Sequence, residues 1–124
     1  MKIESFNELP WHDATMLELR INRRRPGYVD EVVLTMMWPD GRRSQIRFIH
    51  CFGLDARMNF GVVADETVHS AVELADSEEL QALRAKWKPL GIDLSGLRSF
   101  SVETNSTGSL FTIYSRGWIE DLEN

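Results

Sequence analysis

Only one cysteine, Cys51, occurs in the chain. That scarcity removes two scaffolds at once: no internal disulfide can form, and no multi-cysteine zinc site can assemble. The opening residues, Met1-Lys2-Ile3-Glu4-Ser5, lack the apolar core of a signal peptide. No apolar run approaches the roughly 20 residues that span a bilayer. A reducing, cytoplasmic location without membrane contact is therefore expected. Repeats, low-complexity stretches and linker-like segments are missing too, so residues 1–124 are expected to form a single domain.

Positive charge is also in short supply. Fourteen Lys and Arg stand against nineteen Asp and Glu, a net charge of −5. Residues 1–62 hold nine basic and eight acidic side chains, residues 63–124 five and eleven. An acidic chain is a poor nucleic-acid binder and a fair match for a basic protein partner. The arginines that do cluster, Arg23-Arg24-Arg25 and Arg42-Arg43, sit in or beside successive turns at opposite ends of the expected sheet. They cannot make the contiguous stripe that phosphate tracking needs, so no nucleic-acid partner is expected.

What is present is a globular balance, 43% hydrophobic and 27% charged, which argues against disorder. From Ala14, Leu17, Leu19 and Ile21 alternate with Glu18, Arg20 and Asn22, a half-buried strand that stops at Arg23-Arg24-Arg25-Pro26-Gly27. Val29–Trp38 and Ser44–Phe52 read as the next two strands, separated by the turn Pro39-Asp40-Gly41. Short connections make the three an antiparallel meander. Met58–Val63 reads as a short strand, and 66–75 fits either period, with strand preferred. The clearest helix is 76–88, with Asp76 as N-cap, Glu79 completing a capping box, and Leu80, Leu83 and Trp87 on one face. Alternation around the turn Asn105-Ser106-Thr107-Gly108 gives a last hairpin, and Glu120–Asn124 reads as a frayed tail.

The expected fold class is α+β: an antiparallel sheet of hairpins, curved or in two layers, with the 76–88 helix covering one face. Leu17, Leu19, Ile21, Leu34, Phe48, Leu80, Leu83, Trp87, Phe100, Val102 and Ile113 are the expected core.

Four groups of residues have the composition of a site. Trp11-His12-Asp13 should lie near Trp38, because the start of the first strand lies beside the end of the second. Two indoles, an imidazole and a carboxylate could make a binding corner. Neighbours on a strand point to opposite faces, however, which separates His12 from Asp13 and His50 from Cys51. A Cys–His nucleophile pair is not expected on that ground. His12, His50 and His69 lack any close ligand spacing, so neither a metal nor another cofactor is expected. The hairpin tip carries Glu103, Asn105, Ser106 and Thr107, which with glycine can present amides to an anion or simply satisfy a turn.

The segments Trp11-His12-Asp13-Ala14, Met58-Asn59-Phe60-Gly61-Val62 and Glu103-Thr104-Asn105-Ser106-Thr107-Gly108-Ser109 together resemble a set of small bacterial proteins that open with x-H-D-A/S before a strand. The layout is also similar to immunity proteins of bacterial toxin systems, which are small, acidic and single-domain. The resemblance implies a bacterial cytoplasmic origin and a protein-binding role, and it carries over no catalytic residue. The expected function is thus a non-enzymatic protein-binding module of the toxin-neutralising kind. The alternative is a small-molecule binder or cryptic hydrolase at the Trp/His/Asp corner. Pairing of exposed hairpin edges into a homodimer is a further expectation.

Overall fold

The computed structural model describes residues 5–122. In chain order they form β1 (Thr15–Arg25), β2 (Val29–Met37), β3 (Arg43–Arg57), β4 (Val68–Leu74), α1 (Glu78–Trp87), β5 (Arg98–Thr104) and β6 (Leu110–Leu122). Short 3-10 turns occur at Phe6–Glu8 and Lys88–Leu90. All six strands belong to one antiparallel sheet in the order β1-β2-β3-β6-β5-β4. The class is α+β, mostly sheet with one α-helix among the described residues. None of these helices is long and apolar enough to cross a membrane.

The β1-β2-β3 meander and the β5-β6 hairpin lie where alternation placed them, and the ambiguous 66–75 stretch is strand. Four boundaries differ. The arginine run Arg23–Arg25 belongs to β1, and the turn follows it. β3 runs on to Arg57, through an irregularity at Cys51/Gly53 where His50 has φ +52°. Met58–Val63 is a loop: Gly61 turns at φ +95°, and Asn59 is held by the β5–β6 tip rather than by a ladder. Glu120–Leu122, expected to fray, pair with Ser44–Ile46 of β3; residues 123 and 124 lie outside the described residues.

The two outermost strands of this order meet at one end. Asp13 N–H donates to Val68 O at 3.0 Å, Val68 N–H to Ala14 O at 2.7 Å, and Met16 N–H to Glu66 O at 2.8 Å. The lead-in before β1 also satisfies β4, because Asn7 Oδ1 accepts from Glu73 N–H at 2.7 Å.

Apolar side chains separate into two clusters. The larger holds Phe6, Trp11, Leu34, Trp38, Phe48, Phe100 and Ile113 among others; the smaller holds Leu80, Leu94, Leu97 and Tyr114, with Leu83 and Trp87 packed against it. Ile113 and Tyr114 are neighbours on β6, so they face opposite sides of the sheet. The helix therefore shares its core with Tyr114 rather than with Phe48 and Phe100. Two expected core residues are exposed, Leu17 at 44% and Ile21 at 51%. A bulge between Met16 and Glu18 breaks the alternation at Leu17. Ile21 faces the core side opposite Val32, but on an edge strand.

The helix begins one residue later than its sequence signal. Ser77 is the N-cap, its hydroxyl accepting from Leu80 N–H at 3.1 Å. Asp76 instead accepts from Ser77 N–H, Gln81 and Arg84, which hold its carboxyl below the usual range, Gln81 most strongly. The expected Asp76–Glu79 capping box is thus replaced by a cap at Ser77.

Candidate functional site

Two of the singled-out segments, Trp11–Ala14 and Glu103–Ser109, converge at Thr67-Val68, and Met58–Val62 meets the second of them at Thr107 and Ser109. The turn Trp11-His12-Asp13-Ala14 closes through Ala14 N–H to Trp11 O at 2.9 Å, with Asp13 at φ +66°. Asp is among the few residues that tolerate this region. From the other side, Asn105 N–H donates to Thr67 O at 2.8 Å, and Asn105 Nδ2 donates to Thr67 Oγ1 and Val68 O at 3.2 and 3.3 Å. Val68 O is therefore shared by the Asp13 amide and the Asn105 carboxamide. His12 joins the same place through Nδ1 to His69 O at 3.2 Å.

The turn also corrects an expectation about His12 and Asp13. They precede β1 and lie in a turn, so strand alternation does not separate them; His12 Nε2 is 3.7 Å from Asp13 Oδ2, and both are exposed. Trp11 and Trp38 do meet, edge to face with centroids 5.1 Å apart, but both are buried. Trp11 Nε1–H donates to Phe6 O and Trp38 Nε1–H to Ser44 Oγ, each at 2.7 Å. Ser44 in turn donates to Glu120. The indoles are core residues with satisfied donors, and the exposed part of the corner is His12 and Asp13.

The hairpin tip is a clamp. Thr107 N–H and Oγ1–H both donate to the Glu66 carboxylate, and Ser106 Oγ–H donates to Asp65 O. Asn59 N–H donates to Ser109 Oγ at 2.9 Å, and Asn59 Nδ2 to Thr107 O at 3.0 Å. Glu103 is exposed at its edge. These bonds grip residue 59 at one end of a loop and residues 65–67 at the other.

Between the grips the loop carries Phe60, Val62 and Val63, which are 85%, 51% and 103% exposed. Isolated exposed apolar residues are ordinary; here three large ones stand within four positions of one pinned loop. The sequence displayed Met58–Val63 plainly. Its alternation was a strand signal, and only the side-chain bonds from a hairpin 50 residues away make it a presented loop. Asp65 lies in the loop and Asp13 and Glu103 in the neighbouring turn and strand, whereas Arg57 leads into it.

A separate cavity of about 740 Å³ lies beside the β1–β2 hairpin. Ile21, Val32, Leu54, Phe52 and Trp87 supply apolar wall; Tyr28, His50, Cys51 and Arg116 add polar groups. Neither the Trp/His/Asp corner nor the hairpin tip lines it. Burial pushes the Cys51 thiol up to about 11, with the Asp30 and Glu31 carboxylates adding to the effect. A thiol so raised is a weak nucleophile near neutral pH. Arg116 lies over the Phe52 ring, 5.5 Å from its centroid, and donates to Asp93 O. The Trp87 indole N–H is buried and finds no acceptor among the described residues.

Comparison with family models, with curated proteins and with solved structures yields no match.

Proposed function

We propose that this chain is a non-enzymatic protein-binding module that docks through its 59–66 loop. The observation that carries the reading is the exposed Phe60-Val62-Val63 set on a loop gripped at both ends. A pinned loop loses little conformational freedom on binding, which favours affinity. Asp13, Asp65 and Glu103 around its base fit a partner whose apolar groove is rimmed with Lys or Arg. A toxin of bacterial origin, neutralised in the cytoplasm, is one partner of that chemistry, in keeping with the likeness to immunity proteins. A sheet curved until β1 and β4 meet, with α1 over its outer face, would set this loop at one end.

A photo-crosslinking side chain at Phe60 in the native host tests the proposal, with the same probe at the exposed Leu90 as control. One protein adduct is expected at Phe60 and not at Leu90. The adducted protein should bind the Phe60→Ser/Val63→Ser variant at least tenfold more weakly, a loss of about 1.4 kcal/mol. Equal labelling at both positions, or unchanged affinity of the variant, overturns it. The second reading, a small-molecule binder, is favoured by the cavity rather than by the Trp/His/Asp corner. Moving the probe to Tyr28 distinguishes it: a small-molecule adduct there, with none at Phe60, supports that reading.

A further inference from the structure

The cavity beside the β1–β2 hairpin lies where two strands part. The β2–β3 ladder ends at Val32 opposite Phe48, although β2 begins at Val29 and β3 runs on to Arg57. Past Phe48, β3 pairs only with β6 among the described strands. Two irregularities bend it there: His50 at φ +52° and the register shift between Cys51 and Gly53. The left-handed region carries a cost for a histidine, and such cost collects at binding sites.

The space left by the split is about 740 Å³, inside the range of about 300–1,000 Å³ that small-molecule sites occupy. Phe52, Trp87 and Tyr28 give it aromatic wall. The Phe52 and Trp87 rings meet edge to face with centroids 5.7 Å apart, a corner against which a flat ring can pack.

Charge divides this cavity into two ends. On the β2 side, Asp30 accepts from Arg23 Nε at 2.7 Å and from Gly27 N–H at 3.0 Å, and Glu31 accepts from Arg47 at 3.3 Å. Arginines of the chain already answer both carboxylates. On the β6 side, Arg116 forms no ion pair among the described residues. One of its N–H groups donates to Asp93 O, a neutral carbonyl, while the Asp93 carboxylate accepts from Ser95 N–H. His50 falls between the β3–β6 pairs Ile49–Gly117 and Cys51–Ser115, which sets it across from Arg116. A guanidinium with spare donors beside an aromatic wall is a receptor for a carboxylate. Asp30 and Glu31 repel an anion from the other end, so the two ends together orient such a ligand.

We propose that this cavity binds a small aromatic carboxylate, its ring against Phe52 and Trp87 and its carboxylate on Arg116. The inference rests on the second reading above, the small-molecule site, and names its ligand class. No residue of the 59–66 loop lines the cavity, so failure here leaves docking through that loop standing.

Titration followed by proton–nitrogen correlation spectra tests the assignment. The probe is naphthoate, with naphthalenemethanol and naphthylmethylamine as its neutral and cationic counterparts. Naphthoate is expected to shift the amides of His50, Phe52 and Gly53 and the Trp87 indole N–H, leaving Phe60–Val63 unmoved. It should bind at least tenfold more tightly than either counterpart, and more tightly than decanoate, a carboxylate without rings. Arg116→Met keeps an apolar chain beside Phe52 and removes the charge; the preference for naphthoate over the alcohol should fall to within threefold. Ile21→Trp, at an exposed position of the wall, fills part of the cavity and should weaken naphthoate binding at least tenfold. An unchanged thermal midpoint confirms that each variant folds. Shifts that miss the lining residues would overturn the proposal. So would an alcohol, amine or decanoate that binds as tightly as naphthoate, an Arg116→Met variant with its preference intact, or an Ile21→Trp variant with full affinity.

Discussion

At Phe6 four rings converge: Trp11 at 4.8 Å between centroids, Phe100 at 5.1 Å, Trp118 at 5.8 Å and Phe48 at 6.0 Å. The side chain is fully buried, yet it belongs to a lead-in with no periodic pattern. Its carbonyl also accepts the Trp11 indole N–H, so one residue anchors the segment by ring and by backbone. Truncation removes the centre of the aromatic cluster. Phe6→Ala is expected to cost about 3–5 kcal/mol, measured as the loss of unfolding free energy in urea, with Leu19→Ala at the half-buried edge costing clearly less. Phe6 gave no signal of this role in the sequence, because a single aromatic in an irregular stretch has no period to betray its partners.

Among elements, the 59–66 loop depends on another element for its shape. Its conformation comes from the β5–β6 tip, chiefly from Thr107, whose amide and hydroxyl both reach Glu66. Thr107→Val keeps the size of the side chain and removes the hydroxyl. The expected result is at least tenfold faster amide exchange at Asn59, Glu66 and Thr67, with global stability lowered by only about 1 kcal/mol. Exchange unchanged in the loop would mean that the clamp does not govern it. The helix is tied in a comparable way. Arg84 donates to Asp76, Ala75 O, Leu94 O and Leu97 O, holding α1 to the segments on both sides. In the sequence Arg84 reads as a cation favouring the helix end. The geometry makes it a fork between segments, a role that depends on where residues 94–97 return.

The whole molecule carries an alkaline weakness. Burial raises the Cys51 thiol from 9.0 to about 11 and the Tyr114 phenol from 10.0 to about 12. A group raised in the folded state keeps its proton longer there than in the unfolded chain. Its contribution is whole below the unfolded value and is lost as pH rises through the folded one. The thermal midpoint is therefore expected to hold up to about pH 9 and to fall steadily above it. Cys51→Ala should flatten the first part of that fall and leave the later part, due to Tyr114. A midpoint level to pH 11 would show that neither group is held neutral by the fold.

Local pattern determined the strands, the helix and the antiparallel meander, because alternation and capping act over a few residues and each element declares its own period. The fold class was legible for that reason, as was the meeting of Trp11 with Trp38, which follows from a single hairpin. Tertiary structure alone decided which faces are buried and which polar residues meet. A bulge near Leu17 moved one expected core residue to the surface, and an edge position left Ile21 there. Asp13 and Asn105 reached the same carbonyl of Val68 from segments nearly a hundred residues apart. No local period encodes that closure, since it depends on how six strands are ordered in the sheet. The single cysteine excluded a disulfide framework from the outset; the field around it, set by burial with Asp30 and Glu31, arose only when the sheet assembled.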